Sequence, residues 1–126
     1  SMIRDLSLDY PDFLIASSEW FAFVPAKEYF DEPGDHADEL ETSVMMHYHP
    51  ELVNLDEAGN GDYKKFTSQM LNEKVAWIPR NWQKVSQDTG IGNPKKASAG
   101  KGKKYAEAVV AKYALLFEEL VHKELY

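Results

Sequence analysis

The stretch Gly34-Asp35-His36-Ala37-Asp38-Glu39-Leu40-Glu41-Thr42-Ser43 packs five acids and imidazoles into ten residues. It follows the turn-forming segment Asp31-Glu32-Pro33-Gly34 and precedes an apolar periodic run. Ala37, Leu40, Val44, Met45 and Tyr48 share one helical face, so the spacing predicts a helix over about Ala37 to His49, closed by Pro50. Gly34 or Asp35 can serve as its N-cap, and Asp38, Glu39 and Glu41 favour the positive end of its dipole. Titratable groups this dense, at a loop-to-helix junction, mark a place where acid–base or metal chemistry is built.

Working outward, Met2 to Tyr10 has apolar residues at Ile3, Leu6 and Tyr10, which suits the last turns of a helix ended by Pro11. Phe13 to Ala16 is a continuous apolar run and reads as a buried strand of the kind found in parallel sheets. Ser17, Ser18 and Glu19 stand at its far end, where open α/β sheets bind ligands. Asp56 to Asp62 reads as a surface loop, Tyr63 to Leu71 as a short helix or irregular, and Val75 to Ile78 as strand-like before Pro79. A long helix is expected from about Ser98 to His122. Tyr105, Val109, Tyr113, Leu116, Phe117 and Leu120 lie on one of its faces, widened by Ala108, Leu115 and Val121.

The 126 residues suit one domain over 1–126. The net charge of −7 disfavours nucleic acid as a partner. The local cluster Lys95, Lys96, Lys101, Lys103 and Lys104 reads as a solvated loop and helix start. With no cysteine in the chain, disulfides, thiol catalysis and iron–sulfur clusters are excluded. No apolar run approaches membrane-spanning length and no secretory leader opens the chain, so the expected address is the cytoplasm. Ser1, ahead of Met2, has the look of a residue left by tag removal. An uncapped amphipathic helix at the very start reads as one cut short.

His36 is the leading chemical candidate. A carboxylate beside an imidazole holds it in one tautomer and favours its protonated form, and Asp35 and Asp38 flank it. Glu41, one turn on, can reach back to backbone donors as part of a capping arrangement or contact substrate. Glu39 points away from Leu40 and reads as solvated. His47 and His49 sit on different sides of a helix end, which argues against a shared metal. Gly90-Ile91-Gly92-Asn93-Pro94 lacks a phosphate-binding context and reads as a turn into the last helix. Trp77 and Trp82 read as core or interface aromatics, and His122 as a surface residue.

The string His36-Ala37-Asp38-Glu39-Leu40-Glu41-Thr42-Ser43, with Pro50-Glu51-Leu52-Val53 after it, resembles the His-Ala-Gly-Glu-x-Glu-Thr-Ser signature and Pro-x-Leu-Val exit of the creatininase (creatinine amidohydrolase) family. Gly90 to Gly102 is similar to that family's Gly-x-x-Gly-Asp-Pro segment before its last helix. The resemblance implies a three-layer α/β/α fold with a mostly parallel sheet, homo-oligomers, and hydrolysis of a cyclic amide or related C–N bond. It also implies a two-metal zinc or manganese centre, which polarises the carbonyl and generates hydroxide. By the same resemblance His36 moves protons at the scissile bond, Asp35 is an acidic neighbour and Glu41 is the signature glutamate. The family's metal ligands lie in a Glu-x-His, an aspartate and a histidine-containing segment upstream of this region. This chain has neither Glu-x-His nor His-Gly-Gly-Asn, so no metal is assigned to it alone. Asp38, Asn93 and Gly100 depart from the pattern.

The chain is therefore expected to be a truncated creatininase-like α/β domain, the C-terminal half of a metal-dependent amidohydrolase and inactive alone. The alternative is a self-associating structural domain using Trp20, Phe21 and Phe23. A third reading is an unrelated α+β binding module.

Overall fold

A computed structural model describes residues 2–122 and 124. Ser1 lies outside them. Five α-helices organise the described residues: α1 (Met2–Asp9), α2 (Glu39–Tyr48), α3 (Gln69–Asn72), α4 (Trp82–Val85) and α5 (Ala99–His122). Short 3-10 turns sit at Trp20–Ala22, Ala26–Glu28, Pro50–Leu52 and Pro94–Lys96. The principal packing is α2 on α5.

The expected parallel sheet is not there. Among the described residues no strand forms, and the extended pairing consists of two isolated antiparallel bridges, His36 with Ile91 and Tyr63 with Ser86. The mostly parallel three-layer α/β/α reading is thereby overturned for this chain. A strand needs a neighbour for its backbone groups, and among the described residues the two apolar runs have none. Phe13 and Leu14 are exposed, as are Val75 and Trp77. The second run is also hemmed in by Lys74 at φ +59° and by Pro79, which lacks an N–H. Ser18, expected at a ligand-binding strand end, instead shares a 2.7 Å hydrogen bond with the Tyr113 hydroxyl.

The two long helices follow the sequence closely because each carries its own periodicity and cap. In α2, Leu40 and Ser43 are buried. In α5, Gly102, Tyr105, Ala106 and Val109 are buried, while Leu115, Phe117 and Val121 on the later turns are exposed. The apolar stripe read from the sequence thus runs on past the part that finds a covering.

Tyr105 is the centre of the core, with no exposed surface. Its hydroxyl donates to the Phe21 carbonyl at 2.9 Å, and its ring meets Trp20, Tyr29 and Phe30 at 5.2–6.1 Å. Burial, aided by the nearby Tyr29 and Asp38, raises its pKa above the usual phenol value. Trp20 and Phe23 pack on this cluster, so of the three residues suggested for self-association only Phe21 is exposed.

The α2–α5 crossing is closest at Gly102. A Cβ placed there would lie 1.9 Å from the Ser43 carbonyl oxygen. Ser43, itself fully buried, accepts the Ser98 N–H on its Oγ at 3.1 Å. Glu39 is also fully buried, which corrects its reading as solvated. It accepts the Glu32 N–H at 2.7 Å and pairs with the Lys101 ammonium across the crossing. A buried carboxylate survives only when it is paired and hydrogen-bonded in this way.

The lysine cluster is likewise more engaged than expected. Lys101 bonds Asp31 at 2.7 Å, and Lys96 bonds Glu32 at 2.7 Å. The Lys101 hydrogen bond and charge lower the pKa of Asp31, and Lys96 does the same for Glu32. The lysines respond oppositely: Lys101 is raised chiefly by Asp31 and Lys96 by Glu32.

Gly102→Ala should lower unfolding stability by about 2–4 kcal/mol, a scale set by overpacking against a backbone that is slow to yield. A Cβ added at Gly100 would meet nothing within 4 Å, so Gly100→Ala should leave stability unchanged or raise it by up to ~1 kcal/mol. Urea unfolding of both variants checks the pair.

The pH dependence follows from the signs of the shifts. Carboxylates with lowered folded-state pKa stabilise above their ordinary values of 3.8 and 4.5, and that contribution vanishes as pH falls through the folded values. The raised lysines stabilise fully below 10.5 and lose this as pH rises past their folded values. The Tm advantage of the native chain over the double variant Asp31→Asn/Glu32→Gln should therefore be flat near neutrality and shrink in acid below the ordinary carboxylate range. Circular-dichroism melts across that range read it directly.

Candidate functional site

The loop entering α2 is fixed from both ends by its backbone. His36 and Ile91 exchange hydrogen bonds, His36 N–H to the Ile91 carbonyl at 3.1 Å and Ile91 N–H to the His36 carbonyl at 2.8 Å. Asp35 N–H also donates to the Ile91 carbonyl, at 2.8 Å. The Gly90–Pro94 turn thus serves as the backbone rail for the histidine. Gly92 allows this: its φ is +124°, and a Cβ on it would lie 2.9 Å from the Gly34 Cα and 2.8 Å from the Asp38 Cβ.

After His36 the chain reverses through Ala37, which adopts φ +49°, the left-handed region. Asp38, rather than Asp35 or Gly34, is the N-cap of α2. Its side chain accepts the Glu41 N–H at 2.9 Å and also the Gly34 N–H. Glu41 reaches back to the Ala37 N–H at 2.7 Å, the reciprocal half of a capping arrangement. The same Glu41 oxygen stands 3.4 Å from His36 Nδ1.

The carboxylate that faces the imidazole is therefore Glu41, not either flanking aspartate. Asp38 is committed to its cap. Asp35 is committed to Arg80, with both guanidinium nitrogens at 2.7 Å from its two oxygens. The Arg80 guanidinium lies 5.6 Å from the centroid of the Trp82 ring. Trp82 in turn meets the His36 ring at 5.1 Å, inclined at 51°. Trp82 is thus part of the histidine's surroundings rather than of the core. The His36 side chain is 46% exposed, and its Nε2 has no partner among the described residues.

This geometry suits proton transfer. One imidazole nitrogen faces a carboxylate and the other has no hydrogen-bond partner among the described residues, an arrangement in which Nε2 can give or take a proton from a bound molecule. Metal binding is a separate matter. Among the described residues no group of three or more His, Cys, Asp or Glu side chains could hold an ion. His36 and Glu41 offer two donors where a catalytic zinc takes three from the protein, so these residues do not fit a two-metal centre by themselves.

The other histidines stand apart. His47 lies against Tyr48 with ring centroids 4.6 Å apart and inclined at 49°, His49 Nδ1 lies 3.3 Å from Glu51, and His122 is exposed at the end of α5. Arg80 is a site residue that sequence reasoning misses. It is one of only two arginines in the chain and stands two residues before a tryptophan, the one local signal that a planar, bidentate group is placed there. No helix among the described residues is long and apolar enough to cross a membrane.

A family model described as creatinine amidohydrolase (Creatininase) matches residues 2–117. Among solved structures, that of a protein from Bacteroides fragilis NCTC 9343, described as "Putative creatinine amidohydrolase", matches at 60% identity with a TM-score of 0.91. The match covers 99% of this chain and 50% of that one, so the chain spans half the length of that relative. No curated protein matches.

The capping geometry predicts that Asp38→Ala, which strands two backbone donors next to a buried position, costs about 1–2 kcal/mol of stability. Glu41→Ala removes one acceptor at a more exposed place and should cost about half as much. Chemical denaturation of the two variants ranks them.

Proposed function

Because the chain belongs to the creatinine amidohydrolase (creatininase) family, we propose that its His36 loop forms one wall of an active site that hydrolyses a C–N bond. The substrate would be a cyclic amide or related small molecule. The observation that carries this reading is the His36 imidazole held with Nδ1 3.4 Å from Glu41 while Nε2 is left without a partner among the described residues. His36 would pass a proton at the scissile bond through Nε2. Glu41 would orient the imidazole through Nδ1. Asp35 would act indirectly, by anchoring Arg80 beside the site.

The carbonyl-polarising zinc or manganese expected of the family would be held by residues from the part of the enzyme this chain does not span. On that reading the chain by itself is inactive. The whole enzyme would be a homo-oligomer, and the exposed Trp77, Phe117 and Val121 offer apolar surface for such contacts.

Hydrolysis of creatinine and other cyclic amides should be assayed for this chain alone and for the chain joined to the remaining half of the Bacteroides fragilis relative. Metal-dependent ring opening is expected only from the joined protein. His36→Gln in that protein should lower kcat by roughly 10²–10⁴-fold, the scale of general acid–base catalysis. Full activity of His36→Gln would overturn the role given to the imidazole. Metal-dependent turnover by the short chain would overturn its inactivity.

A further inference from the structure

The contacts around His36 close into a loop. Asp35 precedes His36 in the chain, Arg80 grips Asp35 with both nitrogens at 2.7 Å, the same guanidinium lies 5.6 Å from the Trp82 ring, and Trp82 meets the His36 ring at 5.1 Å. Arg80 lies 45 residues from Asp35 in sequence, so this pair ties two distant segments together at the imidazole. We infer that Arg80 and Trp82 are positioning residues: the Arg80–Asp35 pair seats Trp82 against the imidazole, so that Nδ1 stays on Glu41 and Nε2 stays turned outward.

Each member has a chemistry the others lack. The guanidinium is a rigid planar fork whose two parallel hydrogen bonds fix direction as well as distance, which a lysine ammonium does not do. Its flat face can at the same time lie near an indole, within the ~6 Å reach of a cation–π contact. The indole supplies a broad surface that limits how far the imidazole can swing about its side-chain bonds. Without it, only the 3.4 Å approach of Glu41 would hold the half-exposed ring. The pair also has a charge consequence. Asp35 adjoins His36 in the chain, and Arg80 keeps that carboxylate neutralised and directed away, leaving Glu41 as the anion that faces the ring. Misplacing a reacting group by about 1 Å is enough to cost 10²-fold in rate, so a clamp of this kind matters even though it never touches substrate.

This inference rests on the proton-transfer role proposed for His36, but its test does not need turnover. The imidazole proton and nitrogen resonances of His36 in this chain report the neighbouring indole through its ring current, and the tautomer through the nitrogen shifts. In Trp82→Ala the ring-current displacement should disappear, and in Trp82→Phe it should largely return. Arg80→Gln should reduce it and mix the tautomers, while Arg80→Lys should restore it only in part. Asp35→Asn, which leaves Arg80 and Trp82 in place, should act in the same sense as Arg80→Gln. Far-ultraviolet circular dichroism of each variant should match the native chain, because the clamp lies outside the α2–α5 core. Imidazole resonances unchanged in both Trp82→Ala and Arg80→Gln would overturn the clamp. In the joined enzyme the same two variants should lower kcat about 10–100-fold with KM little changed. A loss confined to KM would assign the residues to substrate binding and overturn their positioning role.

Discussion

The close approach of Gly102 to the Ser43 carbonyl is the constraint on which the remainder hangs. Without a side chain at 102, α5 can lie directly on the backbone of α2. The other links between the helices depend on that distance. The Ser43 hydroxyl accepts the N–H of Ser98 just ahead of α5, and Lys101 reaches the buried carboxylate of Glu39. Three residues beyond Gly102, Tyr105 spans the interior to hold the Phe21–Val24 backbone. The start of α2 is thereby set rigidly against the longest helix, and His36 stands just ahead of the cap of that same helix.

What could be read from the sequence was what is local. The extents of α2 and α5 follow, to within a residue or two, from periodic apolar positions and flanking prolines within a few residues of one another. The reach-back of Glu41 belongs to the same class. Two local readings still went wrong, since the cap is Asp38 rather than Gly34 or Asp35 and the carboxylate at the imidazole is Glu41 rather than a flanking aspartate, but the larger misreadings concern partners distant in sequence. Glu39 looks solvated from its neighbours because its cation, Lys101, lies 62 residues away. Arg80 gives little sign of a role because its carboxylate lies 45 residues away. The apolar runs at Phe13–Ala16 and Val75–Ile78 have the look of buried strands. Apolar composition gives a propensity for burial, but pairing requires a second strand, and among the described residues none meets them.

The family signature was legible by resemblance, and the family's model matches residues 2–117. Physical chemistry adds how that signature is used. Its acidic residues divide into roles that composition alone does not separate. Asp38 and Glu41 satisfy the exposed N–H groups at the start of α2, Glu39 stitches two helices together, and Asp35 neutralises a guanidinium. Only Glu41 combines a structural bond with an approach to the imidazole. A segment that looks like a concentration of negative charge is, in the folded protein, mostly committed to positive partners and backbone donors.

Ala37 sits between the histidine's backbone rail and the helix cap, at φ +49°. A residue with a Cβ has only a narrow well on that side of conformational space, whereas glycine there would have room to drift. The turn from His36 into α2 is consequently a stiff pivot and not a hinge. The histidine's own peptide is held between that pivot and its backbone bonds to Ile91.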